Sequence, residues 1–173
     1  MAVIEAIATT YLEADAATVT FSGIPATYEH LQIHASARSN KTSSFLDTIY
    51  VQFNGDTASN YSQHNMNANG TSVYTGMDAG ASTVNPGYAA VDSAQNTAEY
   101  SVFVIDILDY ANTNKNTSVQ GVNVLGLTYT SVYSRPFSAS WRNTAAVTSI
   151  LFDLSSGSWK RGSEFTLYGL NSA

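Results

Sequence analysis

Three histidines, His30, His34 and His64, are all the imidazole this chain has. His30 and His34 stand four apart in a segment of alternating polarity. As a strand they share a face but lie about 13 Å apart, too far to hold one metal ion between them. A metal site there needs partners from other strands, and the plainer reading is a polar surface. Asp106 and Asp109, with Glu99 ahead of them, are the nearest approach to the paired acids of a glycosidase. Their odd separation sends them to opposite faces of a regular strand, so a catalytic pair has to come from two strands. The run Asn54-Gly55-Asp56-Thr57-Ala58-Ser59-Asn60, with Asp47 nearby, offers the oxygen ligands calcium takes. The same residues are what a tight turn favours, and the run lacks the carboxylate density of a calcium-binding loop. With no cysteine, the chain has no thiolate nucleophile, thiolate metal site or disulfide. The expectation is a non-enzymatic protein with neither cofactor nor metal.

Aromatic residues are the better candidates for recognition. Tyr28, Tyr50, Tyr61, Tyr74, Tyr88, Tyr129, Tyr133, Trp141 and Trp159 offer large rigid contact area for sugars or for a neighbouring subunit, with about half of them expected inside. Of these, Tyr61, Tyr74 and Tyr88 are read as a recognition surface, with a glycan as the ligand it would suit. The basic residues total seven against thirteen acidic ones, a net charge of −6, which excludes a nucleic-acid backbone as partner. Arg135, Arg142, Lys160 and Arg161 make the nearest thing to a basic patch, read as assembly contacts or as a solvated face. No apolar run reaches the roughly 18 residues of a membrane span. Glu5 interrupts what would be the apolar core of a signal peptide, so the start reads as mature sequence.

These residues must be held by strands. Thr18–Phe21, Glu29–Arg38, Asp47–Phe53, Val119–Leu127, Ser131–Trp141, Val147–Leu154 and Ser163–Leu170 show short β patterns between Gly, Asn, Ser and Asp clusters. In Glu29–Arg38, Leu31, Ile33, Ala35 and Ala37 face one way and His30, Gln32, His34, Ser36 and Arg38 the other. Glu99–Tyr110 is apolar on both faces and predicts a central strand covered on both sides. Arg135-Pro136 predicts an edge or bulged strand. From Asp56 to Ala98 the pattern dissolves into a long irregular excursion with scattered tyrosine. Nine or ten strands and no helix predict an all-β, single-domain β-sandwich over 1–173, jelly-roll-like, with antiparallel strands and with 1–12 as an N-terminal arm or first strand.

Three pieces then read together: FSGIPATYEHLQIHASAR at 21–38, FNGDTASNYS at 53–62 and VTSILFDLSSGSWKRGSEFTLYGL at 147–170. In order and spacing they resemble a group of tailed-phage virion proteins, leaving 63–98 and 111–135 unassigned. The resemblance implies a virion structural protein on the capsid exterior, a decoration or cement protein that binds the major capsid protein, often as a homotrimer. Head-fibre and tail-fibre modules that bind receptors or glycans are the alternative it implies. No catalytic residues carry over. Assembly contacts are expected at Ala2, Val3 and Ile4 and at the four cations Arg135, Arg142, Lys160 and Arg161.

Overall fold

The structure, a computed structural model, describes residues 3–92, 98–127 and 131–172. Ala2 and Tyr129 lie outside the described residues. Twelve strands occur there and no helix: β1 (Val3–Tyr11), β2 (Val19–Ser22), β3 (His30–Ala37), β4 (Leu46–Phe53), β5 (Tyr61–Asn69), β6 (Ser72–Ala81), β7 (Val84–Ala90), β8 (Ser101–Leu108), β9 (Thr117–Leu127), β10 (Ser131–Trp141), β11 (Ser149–Leu154) and β12 (Glu164–Asn171). They form two antiparallel sheets, β1-β12-β3-β8-β9-β10-β5-β6 and β2-β11-β4-β7. Set aside β5, β6, β9 and β10, and letter the other eight strands B to I in chain order. They then run B-I-D-G in one sheet and C-H-E-F in the other, the strand order of a jelly roll. The remaining four strands are two hairpins that widen the larger sheet past the edge of the smaller one.

Alternating residues build the core between the sheets, as period-two strands with one covered face require. Leu31, Ile33, Ala35 and Ala37 of β3, Ile49, Val51 and Phe53 of β4, and Ile150, Phe152 and Leu154 of β11 are all buried. Phe152 meets Phe21, Phe103 and Phe165 at ring-centroid distances of 6.4, 6.0 and 5.4 Å, and Trp159 meets Phe165 at 5.0 Å. A second aromatic group, Phe53, Tyr61 and Trp141, closes the other end of the core.

The three sequence pieces act as folding latches. Asn54 and Gly55 take positive φ in the turn after β4, and Asp56 accepts hydrogen bonds from Trp141 Nε1 (2.8 Å), Asn60 Nδ2 (2.9 Å) and the Ala58 amide (2.9 Å). Those donors, Asn60 first and then Trp141, hold the Asp56 carboxyl below its ordinary pKa. The calcium-type oxygens of this turn are thus engaged with the chain itself. Asn54 Oδ1 caps the Thr148 and Ser149 amides at the start of β11. In the closing strand, a Cβ on Gly169 would come within 2.3 Å of the Tyr28 ring. Only glycine lets the segment after Ile24-Pro25 lie flat on β12, and Tyr110 donates to the Pro25 carbonyl across the same corner.

Several expectations change. The excursion at 56–98 contains β5, β6 and β7; its strands are made by pairing with β10 and β4, and apolar alternation plays little part. Gly70 and Thr71 make the turn of the β5–β6 hairpin between the paired Asn69 and Ser72, with Gly70 at φ 57°. Strand β10 lies in the interior of its sheet. Its register with β9 is unbroken through Pro136, and the missing proline donor falls where the β5 ladder skips Arg135 and Pro136. Residues 3–11 form a true edge strand on β12, and Ile4 is 63% exposed. Strand β8 is covered on one side only. Phe103, Ile105 and Ile107 enter the core, while Val102 is 51% exposed on the other face.

Candidate functional site

That uncovered side of the eight-stranded sheet is the larger of two surfaces with functional character. On it, Val102 pairs with Val124 and Val104 with Val122, a square of four valines at the centre. The rows continue through Ser36 and His34 of β3 to Glu164 and Thr166 of β12. On the other side they pass Ser134 to Ala68 and Val73. Shallow grooves of about 290 and 380 Å³ indent it, the first beside His34, Val104, Glu164 and Tyr168 and the second beside Met66, Thr75 and Pro136. A polar ladder borders the valines, in which Gln32 donates to Asp106 Oδ1 (2.7 Å) and shares a 2.8 Å hydrogen bond with His34. Neither lysine nor arginine appears among these outward positions. The sequence sign of this face was the surplus of valine on β8 and β9, more than an antiparallel strand with one covered side needs.

The four cations proposed as one patch do not form one. Arg142 sits at the Asp56 turn, donating to the Ser59 carbonyl at 2.6 Å. Lys160 pairs with Asp92, which Arg38 also engages at 2.9 Å. The exposed Arg161 is anchored through its amide to Asp15 Oδ1 at 2.8 Å. Glu164, just after Lys160 and Arg161, aligns across the sheet with Ser134, and Arg142 comes eight residues later, just past the end of β10, roughly 26 Å along the strands. Arg135 is 4% exposed and faces inward, which removes it from any outer contact. Of the nitrogenous and acidic candidates, His30 Nδ1 accepts the Asp109 amide proton at 3.0 Å, and Asp109, paired with Lys115, is held below the usual carboxylate range.

The proposed tyrosine surface also divides. Tyr61 is fully buried; its hydroxyl accepts from the Phe53 amide at 3.0 Å and lies 3.2 Å from the Asp56 carbonyl, and desolvation pushes its pKa up to about 12. Trp141 and Trp159 are core residues likewise. Tyr74 and Tyr88 do share a surface, where the inserted hairpins overhang β7. There Tyr88 packs edge-on against Tyr133 at 6.2 Å, Asn69 donates to the Tyr133 hydroxyl, and Tyr74 is 58% exposed opposite Asn67.

Arg135 lies beneath this shelf. Its Nη1 donates to Asn67 Oδ1 and to the Tyr88 hydroxyl, both at 3.2 Å, its Nη2 to the Asn85 carbonyl at 3.4 Å, and its guanidinium stands 5.2 Å from the Tyr88 ring centroid. Gln63 accepts the Asn85 amide proton at 2.6 Å and Asn123 that of Tyr88 at 3.0 Å. Three side chains from the wide sheet thus engage the Asn85 amide and carbonyl and the Tyr88 amide on the free edge of β7, which would otherwise present these backbone groups unpaired. The close approach at Asn123 is why position 87 is glycine: a Cβ there would lie 2.2 Å from Asn123 Oδ1. Sequence pattern had no means to place Arg135 here, because a single inward cation breaks no periodicity.

Fold and surfaces together define a jelly-roll β-sandwich with two inserted hairpins, bearing one apolar outer face and one amide- and tyrosine-rich shelf. No family model matches the chain, and no curated protein does. Among solved structures, the chain is similar to Scytalido-glutamic peptidase, solved with a peptide-based transition-state analogue, at 15% identity and a TM-score of 0.28. The match covers 91% of this chain and 65% of the peptidase, so the chain spans just under two thirds of that protein's length. A likeness at that TM-score carries no functional inference.

Proposed function

We propose that this chain is a structural protein of a tailed-phage virion, a decoration protein on the capsid exterior that binds the major capsid protein. The observation that carries the reading is the valine square on the outer face of the eight-stranded sheet. Contiguous exposed apolar surface on a folded domain marks a place where something docks, and Val102, Val104, Val122 and Val124 occupy the middle of the widest sheet. The resemblance of the three sequence pieces to virion proteins supports the same assignment, and a homotrimer is the assembly it favours. In this role the cation-free face meets a neutral or basic surface of the capsid lattice, and the fold supplies rigidity with no chemistry asked of it.

The test is co-sedimentation with capsids lacking the protein, combined with native mass. Val102→Lys with Val124→Lys is expected to abolish capsid binding while the melting temperature stays near that of the parent, since both sites are solvent-facing. Undiminished binding by the folded double variant overturns the docking face, and density for the chain on the tail alone overturns the capsid assignment. The head-fibre or tail-fibre alternative is favoured by one observation, the shelf around Tyr74 and Tyr88.

A further inference from the structure

Among the described residues the two sheets leave four edge strands, β1 and β6 on the wide sheet and β2 and β7 on the narrow one. A free edge offers unpaired backbone donors and acceptors to another strand, and folded proteins blunt such edges. Three of the four are blunted here. Strand β2 has only four residues, β7 is engaged by Gln63, Asn123 and Arg135, and β1 carries Glu5 and a bulge between Ala6 and Ala8. Strand β6 has none of these devices over 72–77: no proline, no charge, and a register with β5 unbroken over 72–78. Its large apolar side chains Val73, Tyr74 and Met77 are exposed, Met77 to 68%. The direction of its backbone follows from the next ladder in. The Arg142 amide donates to the Asn60 carbonyl, so the even-numbered residues of β5 bond to β10, and Asn65, Asn67 and Asn69 bond to β6. Their partners Gly76, Tyr74 and Ser72 are thereby satisfied, and Val73, Thr75 and Met77 turn N–H and C=O out to solvent.

We propose that β6 is a dimerisation edge, on which β6 of a second copy of this chain pairs antiparallel across a twofold axis at Thr75. The occupant is a second copy because the strand is complementary to itself in this register. Thr75 faces the partner's Thr75, Val73 the partner's Met77, Tyr74 the partner's Gly76 and Ser72 the partner's Asp78. Val73, Thr75 and Met77 all have outward backbone groups, so the pairs they form exchange both hydrogen bonds. On the outer face the two threonines meet and each valine lies beside a methionine, contacts that stabilise an antiparallel ladder. On the inner face each Tyr74 ring lies over the partner's Gly76, which has no side chain to obstruct it. The two Asp78 carboxylates stand at opposite ends, each facing a serine, so no like charges meet. Strand β1 of a neighbour fits less well, because its bulge interrupts the run of outward groups. The twofold axis joins two wide sheets edge to edge with both valine faces on one side. This contact is independent of the capsid assignment and of threefold packing through other surfaces.

The test is sedimentation equilibrium of the purified chain from about 10 μM to about 1 mM, the range in which a contact made by one strand pair shows. A monomer to dimer equilibrium is expected. Thr75→Pro is expected to raise the dimer dissociation constant at least about tenfold, since it removes a donor each copy gives across the axis while sparing the β5 ladder. Thr75→Lys sets like charges on the axis and is expected to do the same, which keeps the test open if the proline variant fails to fold. The melting temperature of dilute protein is expected to stay near that of the parent for the lysine variant. The register has its own readout. The chain has no cysteine, so Thr75→Cys introduces one per copy, and opposed Cα atoms about 5.5 Å apart lie within disulfide reach. Mild oxidation is expected to give a covalent dimer, whereas Thr9→Cys on β1 is expected to stay monomeric. A chain that is monomeric at the highest concentration, a dimer that the folded Thr75 variants leave equally tight, or cross-linking as efficient at Thr9→Cys as at Thr75→Cys overturns the pairing.

Discussion

The eight-strand frame and the two inserted hairpins are built on different principles. In the frame most inward positions are apolar or aromatic, and the few polar residues are locked: buried Asp47 accepts from the Ser39 and Ser155 hydroxyls and the Gly157 amide. The hairpins add Tyr61, Val119, Leu125, Phe137 and Trp141 to the core and hold fewer such residues elsewhere. Beyond β7 their inward side is Asn65, Asn67, Asn69, Gln63 and Arg135, their outward side Val73, Met77 and Met66, and they persist as strands because β9 and β10 pair with full-length neighbours. The frame spends its sequence on packing. The hairpins are free to vary in side chain as long as they keep pairing, so they are where recognition can be installed without refolding the core.

Breaking the frame should cost most. Phe165→Ala removes the ring at the centre of the Phe103, Phe152 and Trp159 group and is expected to lower stability by about 3–5 kcal/mol in chemical denaturation. Gly169→Ala drives a methyl into the Tyr28 ring, and a loss of about 1–3 kcal/mol is expected, larger if β12 cannot shift. A third measurement uses pH. Tyr61 is neutral in the folded state with its pKa near 12, whereas in the unfolded chain it ionises near 10. Its contribution is therefore complete below about pH 10 and is lost between pH 10 and 12, about 2–3 kcal/mol in all. Tyr61→Phe should flatten the part of that slope Tyr110, also raised by burial, does not supply. At the small end, Val73→Ser and Met77→Ser on β6 are expected to change stability by no more than about 0.5 kcal/mol. A loss there comparable to that of Phe165→Ala would erase the distinction between frame and hairpins.

The same division explains what could be read from residues alone. Strands β3, β4 and β11 announced themselves by alternation, because one face of each is covered and the other is wet. The sandwich followed from such segments and from the absence of any helical period. Strands β5 and β6 gave no such sign, since neither face is apolar throughout; the one local cue was Asn69-Gly70 at their turn. Tyr61 stands in the FNGD…NY piece, yet its place is under the turn it follows, a position set by Phe53 of the same piece together with Trp141 from a distant part of the chain. The valine square lies within the consecutive strands β8 and β9, whereas the Arg135 shelf arises from pairing of β10 with β5, neighbours some seventy residues apart that no short window of sequence contains.

Val3 on β1 is the register partner of Asn171 on β12. Their Cα atoms thus stand about 5 Å apart, the spacing of antiparallel partners, and the two ends leave the molecule side by side at one edge of the larger sheet. A linker of a few residues would join them without strain, and the exposed Gly70–Thr71 turn offers a place to reopen the backbone. The chain is in effect a closed loop of strands cut at one convenient point, so a circularly permuted version starting at Thr71 should fold to the same sandwich. Any cargo fused at either end of these 173 residues would be displayed from that single corner.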